Sequence, residues 1–481
     1  MRRQVVLTQL LLLVVPIKPF AVVGVLADSS RSGHERTMAR TVRRRGPPSP
    51  SILLSAREQQ AEQRVPPSTA LLCVTAGLQS ACFGCIGTAL PPALRASGLD
   101  STSVAMLLGR LGSASALAEV LLSGSFGKLA DAIGRKPILV AAPLVTVFAR
   151  AAVVALPSLP ILLGARLCST LVVPIFWLAF QASWADLYGK NATELAVLSS
   201  RVRASMGLGY ALSSIAGGAL AARNIRYAYA CSCALGCCVA LLTALGMRET
   251  LPDGRRVPFT WGAGFNPLSF LALFQRSALA ARLNLVVVLQ SLTNGMGDLW
   301  QVMARELRGW GAAQCGNFAA MVGISTIFGN LVSGPSLRRL GPRRHTVMTT
   351  ASSACASTML GGATSDAAAL AAVAPIALGA SRDQATSARI VNHLGEELGV
   401  PQGQLAAERN ALNALIKVIA PSLYAWLFTV GASRGIVGLP FYCTATLLAA
   451  SAVMAASIPI DAWVQGEEHA EPSPLTKRRA V

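Results

Sequence analysis

This sequence is short of charge. Only 13% of its 481 residues are Asp, Glu, Lys or Arg, about half the share of a soluble domain, whose surface water must solvate. A water-soluble globule is excluded. Acidic residues are scarcest, 22 against 42 basic, and the four histidines, His34, His345, His393 and His469, are scattered along the chain. The eleven cysteines lie almost all inside apolar runs. Cys82 and Cys85 form a C-x-x-C, and Cys231, Cys233, Cys237 and Cys238 crowd another run. No second pair or His stands at zinc spacing, so these are expected to pack between helices, and no metal or cofactor is expected. A phosphate-cradling loop and a nucleophile elbow are also missing, which removes support for ATP-driven transport and for catalysis in the membrane. No enzymatic activity is expected.

What is present is apolar and basic. Hydrophobic residues make up 53% of the chain, and the formal net charge is +20. The basic residues fall between long apolar runs without an aromatic-basic surface motif, so nucleic acid is excluded as a partner. A lipid bilayer is the expected partner. Its hydrocarbon core needs about 20 apolar residues per helical crossing, because no backbone polar group can go unpaired there. Such runs occur at 68–94, 103–126, 137–156, 159–183, 205–222 and 227–246, then at 279–299, 314–335, 346–364, 367–389, 408–430 and 436–459. The expected fold is therefore an all-α membrane protein with twelve transmembrane helices in two six-helix bundles. Its divisions are an N-terminal extension 1–65, a first bundle 66–246, a linker 247–278, a second bundle 279–460 and a polar tail 461–481.

Basic loops set the orientation. Lys128, Arg135 and Lys136 follow the second span, Arg201 and Arg203 the fourth, Arg248, Arg255 and Arg256 the sixth, and Arg338, Arg339, Arg343 and Arg344 the eighth. All leave on one face, expected to be the cytoplasm or an organelle interior. Residues 1–65 open with Met1-Arg2-Arg3 and a Pro-interrupted apolar stretch, and continue Ser- and Arg-rich and poor in acid. They read as a leader joined to a transit-like segment for a plastid or other organelle, or as a disordered cytoplasmic tail.

The most specific signal is a repeat. Gly127-Lys-Leu-Ala-Asp131-Ala-Ile-Gly134-Arg135-Lys136 follows the second span, and Gly334-Pro-Ser-Leu-Arg338-Arg-Leu-Gly341-Pro342-Arg343 follows the eighth. Gly127 and Gly334, Gly134 and Gly341, and Lys136 and Arg343 share one offset, 207 residues. A common offset implies duplication, and parallel repeats of this kind bracket a site near the membrane midplane. Gly127 suits close helix approach and Gly134 a tight turn, while Arg135 and Lys136 anchor the loop at the membrane surface. Asp131 is expected to accept hydrogen bonds from a helix N-terminus or to pair with a basic residue as a latch. Its counterpart Arg338 cannot.

On these residues the chain resembles the major facilitator superfamily, whose G-x-L-x-D-x-x-G-R-K signature is similar to Gly127–Lys136. Arg166, in Leu163-Gly-Ala-Arg166-Leu, resembles that family's fourth-helix Arg, and Glu249-Thr-Leu-Pro252 the sequence that ends many first halves. The second half is similar to the branch of tetracycline antiporters and hippocampus-abundant-transcript proteins, through Ser333–Arg344, Gln402–Leu405 and Ile419–Leu427. The resemblance covers about residues 68 to 460. It implies alternating access by rocking of the halves, often with proton coupling. Two departures weaken proton-driven export. Ser213-Ser214 stand where such antiporters carry a Gly-Pro pair, and Gln79 stands where drug antiporters often carry an Asp.

A charged side chain inside a span costs about 2.5–3.5 kcal/mol on insertion scales, so it faces a cavity or a partner. Glu119, deep in the second span, is a candidate proton-binding or cargo-contacting carboxylate; the alternative is a salt bridge locking two helices. Lys417, in the eleventh span, could neutralise an anionic cargo, pair with Glu119 across the halves, or snorkel. Arg110 and Arg150 are expected at the interface, and Asp298 in a loop. Asn284, Gln290 and Asn294 recur along the seventh span and either line a pathway or bond neighbouring helices. Pro174, Pro375 and Pro421 are expected to kink their helices. The expected protein is a monomeric secondary transporter of a small organic solute, driven by protons or by the cargo's own gradient. The alternative is a membrane scaffold or sensor that keeps the fold without transport.

Overall fold

The computed structural model describes residues 69–188, 192–251, 256 and 268–464. The leader-like segment 1–65, much of the linker and nearly all of the polar tail lie outside the described residues. Within them every regular element is helical. The first half comprises α1 (Thr69–Gly87), α2 (Leu90–Ala96), α3 (Ser101–Ile133), α4 (Arg135–Ala155), α5 (Leu159–Tyr188), α6 (Ala192–Arg223) and α7 (Ile225–Gly246). A 3₁₀ turn, Ser269–Leu271, and α8 (Ala272–Gln275) precede the second half. There follow α9 (Ala278–Leu292), α10 (Leu299–Arg308), α11 (Ala312–Gly362), α12 (Asp366–Ala371), α13 (Val373–Leu378), α14 (Gln384–Asn392), α15 (Gln402–Ser433) and α16 (Leu439–Ser457), with a last turn α17 (Asp461–Val464).

Helical residues occupy every expected span, and among the described residues eight helices are long and apolar enough to cross a membrane. The seventh span breaks at Asn294-Gly295-Met296-Gly297, where a 3₁₀ turn, Thr293–Met296, meets Gly297 at φ 34°. The tenth is divided into α12, α13, a 3₁₀ turn and α14, and ends in a π turn, His393–Glu397. Pro174 and Pro421 instead lie inside helices that run unbroken through them. Helix α6 begins thirteen residues before the apolar run, because Arg201 and Arg203 interrupt the hydropathy without interrupting the helix. In the stretch from Leu268 to Phe274, Leu268 and Leu271 are exposed while Leu273 is fully buried.

The duplicated loop has a duplicated backbone. Gly134 separates α3 from α4 at φ 103°, ψ 165°, and Gly341 divides α11 at φ 74°, ψ 163°. Residues with a Cβ avoid this region, so glycine is what allows each helix to end and the next to start at once. At the opposite end of the bundle Asp100 caps α3 by accepting from the Thr102 and Ser103 backbone N–H groups at 3.1 and 3.3 Å. Those residues' hydroxyls and N–H groups hold its carboxyl well below the usual carboxylate range.

Helices pack through small residues. Along the α1–α6 seam Gly77 lies on Ser205, Gly209 on the Gly77 carbonyl and Gly217 on Cys85. Large apolar side chains face outward, Phe148 at 71% and Leu245 at 79% exposure, as lipid solvation requires. The apolar core divides unevenly. At the motif end, which carries Gly134 and Gly341, one cluster (Leu72, Ile138, Phe176, Phe180) belongs to the first half and another (Leu283, Ile390, Leu405, Ile416) to the second. At the opposite end one cluster joins both halves, with Leu94, Val104 and Leu108 against Val302, Met303 and Phe428, and another (Ile86, Val153, Leu162, Tyr229) belongs to the first half.

A polar network ties down the motif end of the second half. Glu397 accepts from Arg389 and from His393 Nδ1 (2.6 Å), while His393 Nε2 meets the Ser277 hydroxyl at 2.8 Å and Arg389 Nε donates to the Ala462 carbonyl at 2.6 Å. Burial opposes ionisation of Glu397, but the hydrogen bonds from Arg389 and His393 outweigh it and hold the carboxyl below the usual carboxylate range. A depressed native value stabilises the fold above the unfolded value and loses that contribution as acid protonates the folded group. Thermal stability in detergent should therefore stay level above about pH 5 and fall with acidification below the ordinary Glu value of about 4.3. Glu397→Gln should lower the melting temperature at neutral pH and flatten its decline in acid.

Candidate functional site: a cavity behind a two-halved seal

The motif loop is braced within its own half. Asp131 Oδ1 accepts from Arg135 Nη1 at 2.7 Å, four residues on, and so latches the loop to itself. The Glu249 carboxylate at the end of α7 accepts from the backbone N–H groups of Arg135 (2.9 Å) and Lys136 (3.1 Å). It thereby caps α4, whose first N–H groups Gly134 cannot cap with a side chain. A Cβ on Gly134 would run into this carboxylate. In the second copy Arg343 donates to the Ala456 carbonyl, and Gly334 lies within α11.

At the opposite end the halves meet through charge and close contact. Arg166 Nη2 donates to Asp298 Oδ2 at 2.6 Å, bridging α5 and the start of α10. Asp298 is thus an ion-pair partner rather than the free loop residue its position suggested. Arg95 pairs with Glu306 at 2.6 Å, and the Ser101 hydroxyl donates to the same carboxylate. Gly109 in α3 sits so near α15 that a Cβ there would stand 2.5 Å from that of Ala425, and Ser113 meets Ser422 at 2.8 Å. On the other flank, consecutive Gly217 and Gly218 face different helices. The first lies on Cys85 of α1 and the second on Ala312 and Gly316 of α11. Ser213 and Ser214, where the Gly-Pro pair was looked for, return their hydroxyls to the Tyr210 carbonyl at 3.0 and 2.7 Å, inside a continuous helix.

Nearer the middle, Lys417 Nζ lies 3.2 Å from Glu119 Oε1, joining α15 to α3; the Lys side chain is 61% and the Glu side chain 31% exposed. Gln79 is buried in α1 at 1% exposure. Arg150 departs from the interfacial position expected of it. It is 1% exposed, with its guanidinium 5.4 Å above the Phe83 ring, and its Nε and Nη2 have no acceptor among the described residues. Beside it Arg166, Ser169 and Tyr229 enclose a void with room for about one water. Arg110 is exposed. Asn284 bonds the Leu273 and Ala280 carbonyls, and Gln290 the Thr350 hydroxyl, so both hold helices together.

Asn294 takes another role. It lines a cavity of 410 Å³ formed by the broken seventh span, α11, the tenth span and α16, with Tyr210 of α6 closing it from the first half. Trp300, Phe318 and Phe441 give it aromatic walls; Thr293, Ser353 and Thr444 add hydroxyls; among the described residues Arg382 is its only charged lining residue. Sequence reasoning placed Asn294 on a pathway among its alternatives but missed Asp298, Glu306, the cap by Glu249 and the position of Arg382. The charge pattern offered a signal for Asp298 and Arg382, since both fall inside or at the edge of apolar runs where an ionisable group needs a reason. The Glu249 cap joins residues 113 and 114 apart, and nothing local announces it.

Two helical halves around a cavity, apolar outside and joined by charge at one end, form a multi-pass membrane protein of the transporter class. The chain belongs to the Major Facilitator Superfamily, which residues 72–401 match. Over 352 residues it is 26% identical to the tetracycline resistance protein, class C, of Escherichia coli, covering 72% of this chain and 87% of that protein. Among solved structures it is similar to the human organic anion transporter MFSD10 (TM-score 0.54, 18% identity, 80% of this chain and 98% of that one). It is also similar to the nucleoside transporter NupG (0.59, 13%, 82% and 99%) and to a POT family transporter bound to a thioalcohol-conjugated peptide (0.67, 10%, 82% and 97%). These three likenesses show the fold alone.

The Arg166–Asp298 pair yields a direct expectation. Asp298→Arg or Arg166→Asp alone should loosen the seal, and the double exchange should restore it. The measure is labelling of Val302→Cys, a site 2% exposed in the wild-type seal, by a membrane-impermeant maleimide above the signal of the native cysteines. Labelling should rise several-fold in each single exchange, as expected for about 1–3 kcal/mol lost from a charged pair, and return in the double.

Proposed function

We propose that this protein is a secondary transporter that carries a small organic solute by alternating access, standing here closed at the end opposite the motif loops and open toward them. One observation supports this most: the apolar cluster that spans both halves lies at one end, while each cluster at the other end belongs to a single half. Two bundles whose shared apolar cluster is confined to one end can exchange the closed end by rocking, because the seams beside that cluster consist of small residues and a few ion pairs. On this reading twelve helices cross the bilayer, in bundles 66–246 and 279–460 joined by 247–278. The motif end faces the cytoplasm or an organelle interior, as the basic loops require, and residues 1–65 serve as a presequence for a plastid or other organelle. The unit of transport is the monomer.

In the cycle, Arg166–Asp298 and Arg95–Glu306 hold the far gate shut. When that gate opens the motif loops approach, and Asp131, Arg135 and Lys136 become the latch on the other side. Glu119 and Lys417 form a partly exposed pair between α3 and α15, which protonation of the carboxylate or arrival of a cargo would part. The neighbours' printed cargoes differ from one another, so none is carried over to this chain.

Two measurements test the reading in proteoliposomes. Flux across a solute panel that includes tetracycline, nucleosides and organic anions should appear, and should depend on a pH gradient if protons are coupled; Glu119→Gln should then abolish the dependence. Cysteines in place of Ser113 and Ser422, whose hydroxyls meet at 2.8 Å, should cross-link on oxidation and stop flux by fixing the closed end, with recovery on reduction. Full flux through the cross-linked protein would exclude alternating access.

A further inference from the structure

The cavity carries a cation that the fold leaves unsatisfied. Arg382 Nη2 makes two contacts at the limit of hydrogen bonding, to Thr293 Oγ1 and Asn294 Oδ1, each at 3.4 Å. Its Nε is buried without an acceptor. The neighbouring Asp383 attracts it electrostatically, without closing an ion pair. Arg150 is also short of acceptors but lies outside this cavity, and several other cations of the bundle are paired. Arg166 is held by Asp298, Arg276 by Glu408 through two bonds of 2.5 and 2.6 Å, Arg95 by Glu306 and Lys417 by Glu119. A guanidinium in a membrane span with donors to spare, on the wall of a 410 Å³ cavity, is costly to the fold unless something arrives to use them.

The rest of the lining narrows what that is. Among the described residues no acid lines the cavity, so a cationic solute would meet repulsion from Arg382. A single cation balances a single negative charge, and a phosphate dianion would leave half of its charge uncompensated in a low dielectric. The planar fork of Arg matches a carboxylate in shape as well as charge. Trp300 and Phe318, with ring centroids 5.6 Å apart and planes inclined at 49°, and Phe441 give it an angled aromatic wall against which an apolar body can pack. The volume falls in the range of about 300–1,000 Å³ that encloses a drug-sized molecule.

We propose that the cargo is an organic monocarboxylate whose oxygens are received by the Arg382 guanidinium and Asn294, and whose apolar body lies against Trp300, Phe318 and Phe441. As a statement about cargo it rests on the transport reading above; as a statement about binding it does not. Purified full-length protein in detergent, studied by equilibrium dialysis with 2-naphthoate and its neutral isostere 2-naphthamide, tests it. Naphthoate should bind roughly tenfold to a hundredfold more tightly, the worth of a charge-assisted hydrogen bond in a dry site. Arg382→Gln should bring the two ligands to equal affinity. Arg382→Lys, which keeps the charge but loses the fork, should weaken naphthoate and leave naphthamide unchanged. Equal affinities in the wild-type protein, or a naphthoate preference that survives Arg382→Gln, would overturn the inference. The two readings fail separately. Tight naphthoate binding by protein that moves no solute supports this inference and sinks transport. Counterflow of neutral solutes by protein that binds the two naphthyl ligands equally does the reverse.

Discussion

In hydrocarbon, helix gains nothing from hiding an apolar face against helix, because lipid solvates it as well. Cohesion has to come from van der Waals contact at short range and from polar groups that find one another. That constraint explains the glycine seams. α6 lies against α1 at Gly77, Gly209 and Gly217, and against α11 at Gly218 and Gly316, with backbones close enough that a methyl group would collide. Such seams hold two surfaces tightly while offering little interdigitation to prevent their parting. Where interdigitation does occur across the halves, as at Leu94, Val302 and Phe428, it is confined to one end.

The charges follow the same logic. A lone ion in a span is expensive, and the ion pairs that form are distributed by task. Within a half, Arg276–Glu408 and Arg389–Glu397 fasten elements that move together. Between halves, Arg166–Asp298 and Arg95–Glu306 fasten elements that separate. Arg150 and Arg382 stand outside both groups: one is sealed among aromatic and sulfur-bearing neighbours, the other borders open volume.

Much of the fold was legible because lipid imposes long, countable apolar runs, and because Gly134 and Gly341 repeat at a fixed interval. Span edges were less so. Hydropathy reports where lipid stops, whereas helix stops where hydrogen bonds do, and α6 continues well past Arg203 toward the motif end. The break in the seventh span was written in Gly295 and Gly297, yet an apolar count reads straight through glycine. The pairing of Glu119 with Lys417 stood among the alternatives because two opposite charges in spans invite each other. The partners of Arg166 and Arg95 depend on how the halves sit together, which no local pattern contains.

The paired glycine corners have one more implication. Both copies of the loop turn on a main-chain geometry open to a residue without a Cβ, so the corner itself needs no help from neighbouring side chains. Residues around it were thereby released to diverge. The acid of the first copy could become Arg338 in the second with the bend intact, and an ancestral symmetry of shape has come to carry an asymmetry of charge.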